Sequence, residues 1–176
     1  MRPDPLPTAL PRGGSRVWSE LVGDRADPLV VLVHGSMDRA AGLLRLSRRL
    51  DDDWCVLRYD RRGYGRSVEV GGPFEVAQQV DDLAALLDDM APHGRAAFVF
   101  GHSFGGNVAL GLAHRRPDLV GAVAVYETPL SWLDWWPADT AGGSALGQSD
   151  PASAAEAFMR RLLGDAPTVT LSVRSA

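Results

Sequence analysis

The residues best suited to chemistry are Gly101-His102-Ser103-Phe104-Gly105. A serine hydroxyl attacks a carbonyl once a base removes its proton. The tetrahedral product carries an oxyanion, which backbone N–H groups can bind. The G-x-S-x-G spacing fits this for a steric reason. A strand that turns sharply into a helix needs small residues on both sides of the pivot, and the pivot residue is held with its side chain projecting in a strained conformation. The run Ala96 to Phe100 predicts a buried strand before the pivot, and Asn107 to His114 predicts a helix after it. Gly106 lets helix and strand pack closely, and the helix dipole favours negative charge beside Ser103.

Other polar residues follow apolar runs in the same way. Leu29–Val33 is a continuous run typical of a strand covered on both faces, and it ends in His34-Gly35. Trp54–Tyr59 ends in Asp60, and Val120–Tyr126, also read as a buried strand, ends in Glu127. Between these runs lie helical patterns. Leu43, Leu44, Leu46 and Leu50 share one side of Arg39–Leu50. Val76, Val80, Leu83, Leu86 and Leu87 form a stripe on Phe74–Met90, whose acidic and amide residues are expected to face water. Arg16–Val22 alternates as an edge strand or hairpin arm would. Strand and helix alternate, which predicts an α/β fold: a doubly wound, mainly parallel sheet with helices on both faces. Right-handed crossovers then bring His34, Asp60, Ser103 and Glu127 to one edge of the sheet.

These motifs resemble the α/β-hydrolase family. The resemblance is carried by Gly101–Gly105, by His34-Gly35 and by Asp60-Arg61-Arg62-Gly63-Tyr64-Gly65-Arg66-Ser67. It runs from Val30 to about Glu127, and more loosely from Trp18 to Trp136. It implies Ser103 as nucleophile of a serine hydrolase acting on a small ester or related carbonyl compound through an acyl-enzyme, without metal or cofactor. It implies an oxyanion hole from the backbone N–H groups of Phe104 and Ser36, with Met37 as a nearby alternative. His34 and Gly35 resemble the family's oxyanion loop, where the imidazole buttresses rather than transfers protons. Asp60 would fix its loop by hydrogen bonds, and His102 would pack beneath the elbow. Glu127 occupies a place where some members carry the triad acid; otherwise it lines a hinge. The serine argues against epoxide hydrolase and dehalogenase chemistry, which in this fold use an aspartate there.

The family's chain order places the general-base histidine after the acid. The histidines here are His34, His93, His102 and His114. None follows the expected cap, and His114 lies about 15 Å along the elbow helix from its start. Two expectations stay open: a C-terminally truncated hydrolase, or a non-catalytic fragment acting as a binding or interaction module. The division expected is a flexible lead-in over 1–14, a core over 15–127, and a partial cap and tail over 128–176. In that last part Trp132, Trp135 and Trp136 could pack the cap, line an apolar pocket, or both.

Composition narrows the partners. A net charge of -4 leaves no basic footprint for nucleic acid. Apolar runs are too short to span a bilayer. Met1–Pro7 has no apolar core segment, so no secretory signal is read there. A lone cysteine, Cys55, sits within a strand pattern, where it reads as a buried hydrophobe and fits a reducing cytoplasm. Asp81-Asp82 and Asp88-Asp89 read as a solvated helix face rather than a metal site. The expected partner is a small-molecule substrate. Self-association is also expected, through the sheet edge left open beside Val120–Tyr126.

Overall fold

The computed structural model describes residues 17–90, 96–130 and 133–134. His93, the three cap tryptophans and the C-terminal tail lie outside these. Five strands form one sheet: β1 (Ser19–Val22), β2 (Leu29–Val33), β3 (Cys55–Tyr59), β4 (Ala97–His102) and β5 (Val120–Tyr126), in the order β1-β3-β2-β4-β5. β1 runs antiparallel to β3 at the edge, and the other pairings are parallel. Three α-helices connect them: α1 (Leu44–Leu50), α2 (Val76–Met90) and α3 (Phe104–Arg115). No helix among the described residues is long and apolar enough to cross a membrane.

The period-two geometry of a strand sends alternate side chains to opposite faces, and β2 uses both. Leu29, Val31 and Val33 join α2 and α3 residues, including Leu83, Leu87, Val108 and Leu112, in one core. Val30 and Leu32 join Leu43, Leu46 and Leu50 on the other face. All five β2 residues are buried. A parallel sheet with helices on both faces follows directly. Leu83, Leu86 and Leu87 are fully buried, each stabilising the fold by about 1.5–3 kcal/mol. Cys55 is buried within β3.

Several boundaries differ from expectation. The segment from Arg39 opens as a single 3-10 turn, Ala40–Leu43, before α1 begins. β4 continues through Gly101 and His102 because both pair with β5, at Val125 and Tyr126. Helix α3 begins at once after Ser103, three residues earlier than its pattern suggested. β5 is a correction. It was expected to be buried, yet most of it is exposed. Among the described residues β5 pairs with β4 alone, and only Val120 and Val123 pack partly against the core.

The α2 face is a second correction. Gln79 and Asp82 were expected to face water, and both are buried. Arg61 and Arg62 from the loop after β3 reach over and hydrogen-bond them. Burying a polar or charged side chain is costly and is tolerated where hydrogen-bonding partners of this kind meet it.

Close packing of β4 on α3 depends on Gly101. A Cβ there would lie 2.5 Å from the Gly105 carbonyl oxygen and from the Gly106 Cα, both backbone atoms. Gly101→Ala is therefore expected to cost about 1–3 kcal/mol. The result would be a lowered urea midpoint with an unchanged slope.

Candidate active site

Ser103 sits between β4 and α3 with φ 51° and ψ -125°. Few non-glycine residues occupy that region, and holding one there costs about 1–3 kcal/mol. The surrounding bonds over-determine it. Its N–H donates to the Tyr126 carbonyl at 2.8 Å, and its carbonyl accepts from Gly106 N–H at 2.9 Å. The side chain is half-buried at the head of α3. There the first N–H groups, beginning with Phe104, have no partner within the helix.

Gly35 arrives at the same place from the end of β2. A Cβ on Gly35 would lie 3.0 Å from Ser103 Cβ and 3.3 Å from His102 Nδ1. A side chain there would be a tight fit that Ser103 and His102 would have to yield to, and glycine removes the conflict. Beyond it, Ser36 and Met37 are exposed, and Met37 has a positive φ of 56°. The loop and the serine thus meet, although they are 68 positions apart by number (103 − 35).

His34 is fully buried. Its Nε2 accepts from the Arg61 N–H at 3.0 Å, which leaves the proton on Nδ1, 2.9 Å from the Gly35 carbonyl oxygen. Both ring nitrogens are therefore committed to the backbone. Burial first, and then the Arg61 charge, pull its pKa down to about 4. This makes stability depend on pH. The unfolded imidazole gains a proton near its ordinary 6.5, whereas native His34 stays neutral down to about 4. The full contribution is present above about 6.5 and is lost as pH falls towards 4, on the order of 3 kcal/mol in total. Urea midpoints for the wild type should drop over that window. His34→Gln, which cannot titrate, should show a smaller drop.

Asp60, buried at the end of β3, accepts from Ala40 N–H at 2.7 Å and from Arg66 N–H at 2.9 Å. It ties two loops together and touches neither Ser103 nor Gly35 through these bonds. Glu127 follows β5 with a positive φ of 54° and an exposed carboxylate. His102 differs from expectation. Instead of packing beneath the elbow, its half-exposed ring stacks on Tyr126, with centroids 5.9 Å apart. Its Nε2 lies 3.6 Å from Glu127 Oε2. The cause is register: His102 pairs with Tyr126 as the last residue of β4, so its ring follows the sheet edge. His114 is exposed in the last turn of α3.

Sequence reasoning missed Arg61, Arg62, Gln79 and Asp82. A signal was present. Gln79, Asp82, Leu83 and Leu86 fall on one helical face at spacings of three and four. A polar pair inside an apolar stripe asks for a buried partner. A cavity of about 1060 Å³ lies along β1 and α1, lined by Trp18, Arg39, Arg48, Arg58 and Arg66; it reaches Asp60 but not Ser103.

A family model described as Serine aminopeptidase, S33, an α/β-hydrolase family, matches residues 24–159. The chain belongs to the α/β-hydrolase family. It is 35% identical over 99 residues to a Caulobacter segnis protein provisionally named carbamate hydrolase RutD, covering 55% of this chain and 36% of that one. It is 31% identical over 111 residues to epoxide hydrolase B of Mycobacterium tuberculosis, covering 61% and 31%. An α/β hydrolase from Sphaerobacter thermophilus superposes with a TM-score of 0.65 at 32% identity, covering 91% of this chain and 62% of that one. The chain thus spans 36% and 31% of the length of these two curated relatives.

Proposed function

We propose that this α/β-hydrolase chain carries the nucleophilic half of a serine hydrolase acting on a small ester, carbamate or related carbonyl compound. One observation carries the reading: Ser103 is held at φ 51° on a strand-to-helix pivot, with Gly35 packed against its Cβ. In the proposed reaction the Ser103 oxygen bonds to the carbonyl carbon while a base takes its proton. The oxyanion is received by the N–H groups of Ser36 and Phe104. Collapse expels an alcohol or amine, which takes up the proton, and leaves an acyl-serine. Water then attacks the acyl carbon, releasing a carboxylic or carbamic acid and restoring the hydroxyl. His34 and Asp60 hold the loops, and Glu127 serves as the acid. The related proteins' names cover both carbamate and epoxide hydrolysis; carbamate enters the substrate class from the first of them, and the serine nucleophile rests on Ser103 itself.

A second reading, a non-catalytic interaction module, is favoured by the three histidines among the described residues. His34 has both nitrogens occupied, His102 faces Glu127, and His114 lies at the far end of α3. Fluorophosphonate labelling separates the two. The nucleophile reading expects one adduct, on the peptide bearing Ser103. Absence of that adduct on folded protein, together with no turnover of p-nitrophenyl esters, would favour the non-catalytic reading.

A further inference from the structure

Arg61 is the largest fully buried side chain among the described residues, with 1% of its surface exposed. Its Nε donates to the His34 carbonyl at 2.9 Å and its Nη2 to the Gly35 carbonyl at 2.7 Å. Its Nη1 donates to Gln79 Oε1. The rings of Tyr64 and Phe104 face the guanidinium carbon at 4.6 and 4.9 Å. The groups that touch the guanidinium are neutral, two carbonyls, an amide and two rings, and the Asp38 carboxylate acts on its charge without a direct bond. Burial still opposes its charge and is the largest influence on its pKa, so what these bonds position deserves a separate account.

Peptide geometry supplies a different role. The Gly35 carbonyl and the Ser36 N–H belong to one planar trans peptide and point in opposite directions. Nη2 draws the Gly35 carbonyl towards itself, so the Ser36 N–H must point away from Arg61. The Nε bond fixes the preceding carbonyl in the same way. The Phe104 ring lies against the same guanidinium, while its backbone N–H, the second proposed oxyanion donor, is set by the start of α3. An arginine can do this and a lysine cannot, since the planar fork offers several donors at fixed angles.

We propose that Arg61 is a positioning residue that orients the Ser36 N–H donor of the oxyanion hole. The inference rests on Ser103 being the nucleophile. The test uses Arg61→Lys and Arg61→Met in the full chain. Arg61→Lys retains the charge and a single donor group, and carries the test if Arg61→Met does not fold. For folded variants, the maximal rate of fluorophosphonate labelling at Ser103 should fall roughly 10- to 100-fold, short of the 100- to 1,000-fold typical of deleting a donor outright. The probe concentration giving half that rate should change little, and lysine should not rescue. A merely structural role would lower the melting temperature without slowing the folded fraction. Wild-type labelling rates in a folded variant would overturn the proposal. Amide exchange and the nitrogen-15 shift of Ser36 give a readout free of catalysis. Both should change in Arg61→Lys, and an unchanged Ser36 amide would also overturn it. If the wild type fails to label, the nucleophile reading falls, and the Ser36 amide still decides whether Arg61 sets that peptide.

Discussion

Ser103→Ala is expected to eliminate fluorophosphonate labelling and to lower any ester turnover by roughly 10⁴-fold or more, without loss of stability. The two halves of that result have separate causes. The adduct forms on the serine oxygen itself, so its removal leaves no bond to make. The folded state loses little, because the backbone bonds to Tyr126 and Gly106 involve the main chain and survive any side chain. Ser103→Gly sharpens the point. Glycine adopts a positive φ freely, so relief of about 1–3 kcal/mol of strain should outweigh the extra flexibility glycine gives the unfolded chain. A higher melting temperature with no labelling would mean that the conformation at 103 is held for reactivity. A lower one would mean that the side chain is a structural peg.

The alternation of strands and helices along the chain, the helix stripes and the polar residues at strand ends were all legible in the sequence, because each depends on local period. Leu29–Val33 could only be a strand sandwiched between two layers, and it is. What stayed hidden depends on partners distant in the chain. Gln79 and Asp82 look solvated until Arg61 and Arg62 are brought across. β5 looks buried because its composition is that of an interior strand, and composition does not say how many neighbours are present. His102 looks as if it belongs beneath the elbow until the β4–β5 register places it on Tyr126. The backbone pivot at Ser103 was written in the motif. The supporting contacts were written in pairs of residues about 20 positions apart.

The largest stability effect is expected from one of those pairs. Arg62 donates to both carboxylate oxygens of Asp82, from Nε at 2.5 Å and Nη2 at 2.7 Å, and the side chains are only 8% and 11% exposed. The bond to Asp82 is the chief reason that the Arg62 pKa is raised. Removing one partner leaves the other charge buried without its counter-ion, so Asp82→Ala should destabilise by about 3–5 kcal/mol. The remaining contacts of Arg62, to the Gly71 and Pro73 carbonyls at 3.4 and 3.2 Å, are too long to compensate. Arg62→Met with Asp82→Leu replaces the pair by apolar volume and should recover most of the loss, giving a large coupling energy in a double-mutant cycle. Additive losses would mean that the pair is solvated and contributes little. The pair matters to the site because Arg62 follows Arg61, and Asp82 lies one helical turn after Gln79. Anchoring α2 to the loop after β3 at this point keeps Gln79 within reach of Arg61, whose other donors hold His34 and Gly35. A destabilised Asp82→Ala protein should therefore also show faster amide exchange at Ser36 while it is still folded, linking a salt bridge on α2 to the geometry beside Ser103.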